Sequence, residues 1–166
     1  SVCTTSGLNI TMVATGTCTI VASQAGNDNY NAATNVSNSF TVQDTIAPTI
    51  TAFSSSTADG LFGIGGTISI SATTSEAIQS GNSITVTLET GTVDRTVVLT
   101  AASASTSLTG TYTVQSGDVS ADLTAASFTF TANAVRDTAG NAMTSTTLPA
   151  IGSNIAQGSA LVVDGV

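Results

Sequence analysis

The feature that most constrains the fold of this chain is the alternation of apolar and hydroxyl side chains along short segments. In residues 67–72 and 83–89, apolar side chains occupy every second position, and Ser or Thr fills most positions between them. A period of two places the apolar side chains on one face of a β-strand, whereas no long segment keeps the period of a helix. Further strands are predicted at 96–99, 108–114, 127–131 and 160–163.

These strands are separated by Gly, Asn, Asp and Ser at intervals typical of an all-β sandwich or barrel. The apolar face of each strand should form the core, while the threonines face outward. The predicted core consists of Ile68, Ile70, Ile84, Val86, Leu88, Val97, Leu99, Tyr112, Phe128, Phe130 and Val162.

A boundary is predicted at residues 44–48, where Pro48 favours an extended connection after the strand predicted at 38–42. The apolar run 160–164 ends in Asp, as the run 40–44 does, which indicates tandem units of roughly 120 residues. Residues 44–164 would be one complete unit, and 165–166 would begin the next linker.

Residues 1–43 are too short for a complete sandwich and offer four strands. These strands are predicted at 2–4, 9–13, 17–23 and 38–42. Such a piece leaves unpaired edges and a half-covered core. Either a longer polypeptide supplies the missing strands, which is the interpretation we favour, or a neighbouring subunit supplies them.

The charge of the chain limits its partners. Two basic residues stand against ten acidic ones, giving a net charge of −8. Two basic side chains cannot neutralise a run of phosphates, and nucleic acid is therefore not an expected partner. We expect no membrane insertion in this segment either, because no run of apolar residues is long enough to span a bilayer. A divalent cation is the partner that an acidic surface attracts.

The two cysteines, Cys3 and Cys18, lie close together in the sequence, and each is followed by strand-like residues. We predict that they form a disulfide, which would stabilise a loop of this length by roughly 3 kcal/mol. The alternative is a pair of buried reduced thiols. A zinc site is not expected, because the chain has no histidine.

Several motifs, taken in order, carry a resemblance to a known kind of protein. They are Gly16-Thr-Cys-Thr-Ile-Val-Ala-Ser-Gln-Ala-Gly-Asn-Asp-Asn-Tyr-Asn31, Asp44-Thr-Ile-Ala-Pro48, Ser75-Glu-Ala77, Leu88-Glu-Thr-Gly-Thr-Val-Asp-Arg95, Tyr112-Thr-Val-Gln-Ser-Gly-Asp118 and Asp137-Thr-Ala-Gly-Asn141. With them, residues 1–43 resemble the C-terminal part of a small immunoglobulin-like (Ig-like) repeat of giant bacterial surface proteins. Residues 44–164 resemble a second, complete repeat of that kind.

The resemblance implies Ig-like β-sandwich modules in tandem along an extracellular, adhesin-like protein that is secreted or displayed on a bacterial cell surface. Its partners would be neighbouring Ig-like repeats or copies of itself, with host or surface glycans bound through other regions. It also implies Ca²⁺ at junctions between repeats. The implied ligands are Asp44, Glu76, Asp137 and Asn141, and Asp164 would begin the next junction. The alternative is that Asp44 and Asp137 bond their own backbone in turns.

The remaining polar residues are explained by turn formation, and they do not indicate a catalytic site. Asn27-Asp-Asn29, and Asp118 together with Asp122, lie in predicted loops where turn formation explains them. The chain has neither histidine nor lysine, so a Ser-His-Asp or Ser-Lys arrangement cannot be assembled. We therefore do not expect an enzyme.

The expected function is mechanical: a rigid stalk or spacer within a large extracellular protein. The first alternative is the subunit of a self-assembling extracellular filament, in which copies complete one another by strand donation. The second is a lectin-like module that binds a ligand through loop residues 27–30.

Overall fold

A computed structural model describes residues 1–150 and 152–166, and all of its regular structure is β apart from one short 3-10 helix. The chain divides into two compact units, Ser1–Thr45 and Ile46–Val166.

The first unit consists of two antiparallel hairpins. β1 (Cys3–Ser6) pairs with β2 (Asn9–Met12), and β3 (Gly16–Ala22) pairs with β4 (Val36–Val42). The turn between β1 and β2 has only two residues, and its first residue, Gly7, has φ +59°. Glycine adopts this conformation without steric cost, which allows so tight a turn.

The β3–β4 hairpin has one hydroxyl face and one apolar face. Thr19 and Ser39 lie opposite each other, and their hydroxyl groups are 2.8 Å apart. On the other face, Cys18 lies opposite Phe40. Cys18 is the only buried residue of this unit, and Val36 is 67% exposed. Packing therefore contributes little to holding this unit together.

The predicted disulfide between Cys3 and Cys18 is present and joins β1 to β3. Because the hairpins of this unit bury so little, the disulfide is its main brace.

The second unit contains two sheets. The larger sheet has the order β12-β8-β9-β10-β7-β5, and the smaller has the order β11-β13-β6. The strands are β5 (Ile50–Ser54), β6 (Gly60–Phe62), β7 (Thr67–Ile78), β8 (Ser83–Leu88), β9 (Arg95–Thr100), β10 (Ser105–Thr113), β11 (Val119–Ser120), β12 (Ala125–Thr129) and β13 (Leu161–Asp164).

Alternation along the central strands builds the core as the sequence predicts. In β8, Ile84, Val86 and Leu88 are buried, and Val86 lies opposite the buried Val97 of β9. The hydroxyl side chains between them point away from the core. Each fully buried aliphatic side chain contributes about 1.5–3 kcal/mol of transfer free energy, so this shared face accounts for much of the stability of the unit.

The core prediction is correct except at two positions. Phe130 is only partly buried, although it packs against the core. Val162 is 36% exposed, and its neighbours Leu161 and Val163 point inward instead. The run Leu-Val-Val is apolar at every position, so alternation could not decide which face of β13 is buried.

Strands β5, β6 and β11 were not predicted from the sequence. All three are short, and among them only β5 contributes buried core residues, Ile50 and Phe53. The ladder between β5 and β7 shifts register between Ile50 and Ala52. An interruption of this kind breaks the period-two pattern by which a strand is recognised.

The larger sheet curls until its edge strands nearly meet. Ser153 accepts a hydrogen bond from the backbone N–H of Phe53 in β5 (2.9 Å). The side chain of Asn154 accepts from the N–H of Ala125 in β12 and donates to its carbonyl oxygen, both at 2.9 Å. Phe53 and Phe128, from the same two edges, meet edge to face at 5.7 Å. Two adjacent residues therefore connect both edges of the sheet.

The role of the disulfide gives a first prediction. Reduction, or the double substitution C3S/C18S, should unfold residues 1–45, because about 3 kcal/mol of loop-closure stabilisation is lost where almost nothing is buried. Backbone amide NMR spectra should then show collapsed dispersion for residues 1–45 and unchanged shifts within β7–β10. Retained dispersion in the reduced first unit would contradict this account, and the second unit serves as the internal control.

Candidate metal centre

Three carboxylates that are far apart in the sequence lie together. Asp44, Glu76 and Asp137 each place one carboxylate oxygen within 4.8 Å of the other two. Asp137 is buried, and Asp44 and Glu76 are half-buried. The resemblance implied all three as ligands, and the structure brings them to one place.

The backbone around Glu76 explains why it lies near Asp137. Ile78, the last residue of β7, forms an isolated antiparallel β-bridge with Asp137. The N–H of Thr138 donates to the carbonyl oxygen of Ala77 at 3.1 Å. Glu76 and Asp137 are therefore held on adjacent backbone segments. Asp44 belongs to the irregular segment 43–49 that follows β4.

The loop 137–141 is organised around the carboxylate of Asp137. Its Oδ1 accepts hydrogen bonds from the N–H groups of Gly140 (2.6 Å) and Asn141 (2.8 Å), and its Oδ2 accepts from the Asn141 side chain (2.8 Å). Gly140 has φ +100°, which suits glycine. The turn interpretation of Asp137 is therefore correct, while its role as a metal ligand stays a prediction.

The same hydrogen bonds keep Asp137 ionised. Burial acts to raise the pKa of this carboxyl. Hydrogen bonds from the Asn141 side chain and from the backbone N–H groups of the loop lower the pKa by more than burial raises it, so the pKa lies below its usual value. Asp137 therefore stays charged beside Asp44 and Glu76. Arg136, whose Nη1 donates to the carbonyl oxygen of Gly140 at 2.7 Å, offsets part of this negative charge.

The chemistry of the cluster suits a hard cation. Calcium takes six to eight oxygen ligands at about 2.3–2.6 Å, so any two oxygens on one ion lie within about 5 Å of each other. The separations among Asp44, Glu76 and Asp137 are compatible with that limit. The donors are all oxygen, which favours calcium or magnesium over zinc or copper. Three carboxylates would leave the remaining positions to backbone oxygens or water.

The other two implied ligands are placed differently. Asn141 lies beside the cluster, where its amide nitrogen donates to Asp137. Asp164 lies at the exposed end of β13, opposite Val119, and is not part of the cluster. Its carboxylate accepts a long hydrogen bond from the N–H of Val166 at 3.4 Å.

A second polar centre, at Asp118, was underestimated from the sequence. Asp118 was expected to shape a turn, yet it is 1% exposed and accepts three hydrogen bonds. Arg95 Nε donates to Oδ1 at 2.7 Å, while the Tyr112 hydroxyl group (2.6 Å) and the Gln115 N–H (2.8 Å) donate to Oδ2. This carboxylate therefore links β9, β10 and the following turn.

The electrostatics of this network are set by burial and by mutual bonding. Burial acts to raise the pKa of Asp118, but the bonds from Tyr112 and Gln115 and the charge of Arg95 bring it below the usual value. For Tyr112, burial and then the bond to Asp118 both raise the pKa. The sequence held one signal of this site, since Arg95 is one of only two cations in an acidic chain.

The remaining polar motifs form turns or face solvent. The side-chain oxygen of Asn27 accepts hydrogen bonds from the N–H groups of Asn29 and Tyr30, both at 3.0 Å, as predicted for a turn. Asp122 is exposed. Neither motif brings further acidic groups to the metal cluster.

No family model, curated protein or solved structure matches the chain. Among the described residues, no helix has both the length and the apolar character needed to cross a lipid bilayer. The interpretation of the two polar centres therefore depends on the residues of this chain.

The Asp118 network gives a prediction about pH. D118N should destabilise the second unit by about 3 kcal/mol at pH 7, because it removes the charged partner of Arg95 from a buried site. The folded-state pKa of Asp118 is lowered, so its contribution is present above the unfolded value near 3.9 and is lost as the pH falls through the folded value. The difference between the variant and the unaltered chain should therefore shrink in strong acid.

Urea unfolding followed by circular dichroism from pH 7 to pH 2 measures this difference. D122N is the matched control, because it removes the same charge from an exposed position. A D118N deficit that is equally large at pH 2 and pH 7 would contradict the assignment.

Proposed function

We propose that this chain is a segment of Ig-like β-sandwich repeats from a large extracellular bacterial surface protein, and that it acts as a rigid, adhesin-like stalk or spacer rather than as an enzyme. The observation that carries the proposal is the convergence of Asp44, Glu76 and Asp137. Three of the residues that a spacer of this kind would use to bind calcium lie together, although they come from three distant parts of the sequence.

The physical consequence of an ion at this cluster concerns the connecting segment. Asp44 lies in the irregular residues 43–49 that lead into β5, Glu76 lies near the end of β7, and Asp137 begins the loop 137–141. An ion bound by all three would tie that segment down and remove much of its conformational freedom. Ordering one residue of backbone costs about 1–2 kcal/mol, which the binding free energy of the ion would offset.

The rest of the second unit supports a passive mechanical role. Its core is continuous, its two sheet edges are connected by Ser153 and Asn154, and its buried charge at Asp118 is paired with Arg95. These features favour rigidity and resistance to proteolysis, which are the properties that a spacer requires.

Calcium titration tests the proposal. Free Ca²⁺ at a hundred times its dissociation constant should stabilise the second unit by about 2.7 kcal/mol and raise its melting temperature by several degrees, and a chelator should reverse the change. E76Q should abolish this response, because it removes one carboxylate from the cluster. Calorimetric titration and thermal unfolding measure the two effects.

E89Q is the matched control, since Glu89 is exposed and lies outside the cluster. No heat of binding and no calcium-dependent shift in the unaltered chain would contradict the metal assignment. Equal responses in E76Q and E89Q would place the ion elsewhere.

A second candidate function has a specific observation in its favour. In the first unit, Val36 and Met12 are 67% and 55% exposed, although both lie on strands. Strands donated by another copy would cover such side chains, as in a self-assembling extracellular filament.

Size measurement separates the two functions. A spacer segment should remain monomeric in size-exclusion chromatography with light scattering, even at high concentration. A filament subunit should form fibres that are visible by negative-stain electron microscopy. We expect the monomer, and spontaneous fibres from the intact, oxidised chain would favour the filament instead.

A further inference from the structure

The last strand of the second unit is bonded along both of its edges. β13 runs parallel to β6, with Leu161 opposite Gly60, and antiparallel to β11, with Val163 opposite Ser120. β13 therefore lies at the centre of a small sheet. It can be detached only if both ladders break.

The residue after β13 is enclosed by a turn. The N–H of Gly165 donates to the carbonyl oxygen of Asp118 at 2.7 Å, and its own carbonyl oxygen accepts from Gly117 at 2.8 Å. A Cβ atom at position 165 would overlap the carbonyl oxygen of Gln115 and lie 3.0 Å from that of Asp118. The space admits only glycine, so the turn 115–118 closes tightly around the departing chain.

The Asp118 side chain fixes this turn to the larger sheet. Its carboxylate is bonded to Arg95 at the start of β9 and to Tyr112 near the end of β10. The turn also bonds to itself, since Gln115 donates to the same carboxylate. The position of Gly165 is thus coupled through one buried carboxylate to two central strands.

The direction of a pull along the chain determines how these bonds are loaded. β6 precedes β13 in the chain, and the two strands run parallel. Tension at the N-terminal end of the unit reaches β5, which pairs with β7, before it reaches β6. Tension at the C-terminal end acts directly on β13, and the part of it directed along the strand draws β13 past β6 and β11. Backbone hydrogen bonds run across the strands, so this tension shears several of them at once and does not open them one by one.

We propose that Gly165 and the Asp118 turn form a lock that holds the C-terminal strand against tension applied along the chain. The proposal rests on the spacer function, because only a chain that bears load would use such a lock. Tension on the C-terminal end of the unit acts first on Gly165, which is bonded to the turn. The Asp118 carboxylate transmits this force from the turn to Arg95 and Tyr112 of the larger sheet.

Single-molecule force spectroscopy on the intact 166-residue chain, tethered at its two termini, tests this proposal. The second unit is recognised by its longer gain in contour length, because it holds residues 46–166 and the Cys3–Cys18 disulfide shortens the extension of the first unit. The variants are G165A and D118N. The comparison variant is I84A, which truncates a buried side chain of β8 away from the lock.

Urea unfolding first measures how much free energy of unfolding each variant loses. After correction for that loss, G165A and D118N should unfold roughly tenfold faster than I84A under the same force. G158A should behave as the unaltered chain, because the nearest atom to a Cβ at position 158 is 4.0 Å away. If both lock variants follow the same relation between force and stability as I84A, the lock does not exist. If G165A does not fold, D118N alone decides.

This result is independent of the calcium titration, which uses different residues and no applied force. Loss of the calcium response with an intact force effect would remove the metal assignment but keep the lock. The opposite outcome would remove the lock and leave the metal assignment unchanged.

Discussion

The second unit depends on the closure of its larger sheet by Ser153 and Asn154. An open six-stranded sheet would expose unpaired N–H and C=O groups at β5 and β12, which are templates for aggregation. The carbonyl oxygen of Ser153 pairs with the N–H of Phe53 at the β5 edge, and the Asn154 side chain pairs with both backbone groups of Ala125 at the β12 edge. Closure also brings the inner faces of the edge strands together, so the aromatic contact between Phe53 and Phe128 follows from it.

Both polar centres lie where this closed sheet stops being regular. The acidic cluster forms where the end of β7 pairs with the loop around Asp137, and the Asp118 network forms where β10 gives way to the turn before β11. A regular strand points its side chains only inward or outward, whereas a turn can direct a carboxylate along the sheet. The core is built by the regular strands, and the irregular segments hold the buried charged groups Asp118 and Asp137.

The sequence predicts the central strands well because their alternation is uninterrupted. Alternation alone assigns three residues of β8 to the core, and all three are buried: Ile84, Val86 and Leu88. The prediction was wrong for Val162, because every residue of that run is apolar and the pattern does not show which positions face the core. Asp118 forms a turn as predicted, but its burial and its bonds to Arg95 and Tyr112 could not be foreseen, because those partners lie on distant strands. The acidic cluster followed from the resemblance alone, because local pattern says nothing about contacts across the sequence.

Hydrogen exchange in an Asn154 variant tests the central claim most directly. N154A should make the amide of Ala125 exchange roughly tenfold faster or more, with that of Phe53 following, while the central strands β8 and β9 keep their protection. Q157A is the control, because it removes the hydrogen bond that caps the same short helix and leaves both bonds to Ala125 in place. Unchanged exchange at Ala125 and Phe53 in N154A would show that the sheet closes without these bonds and would contradict the account.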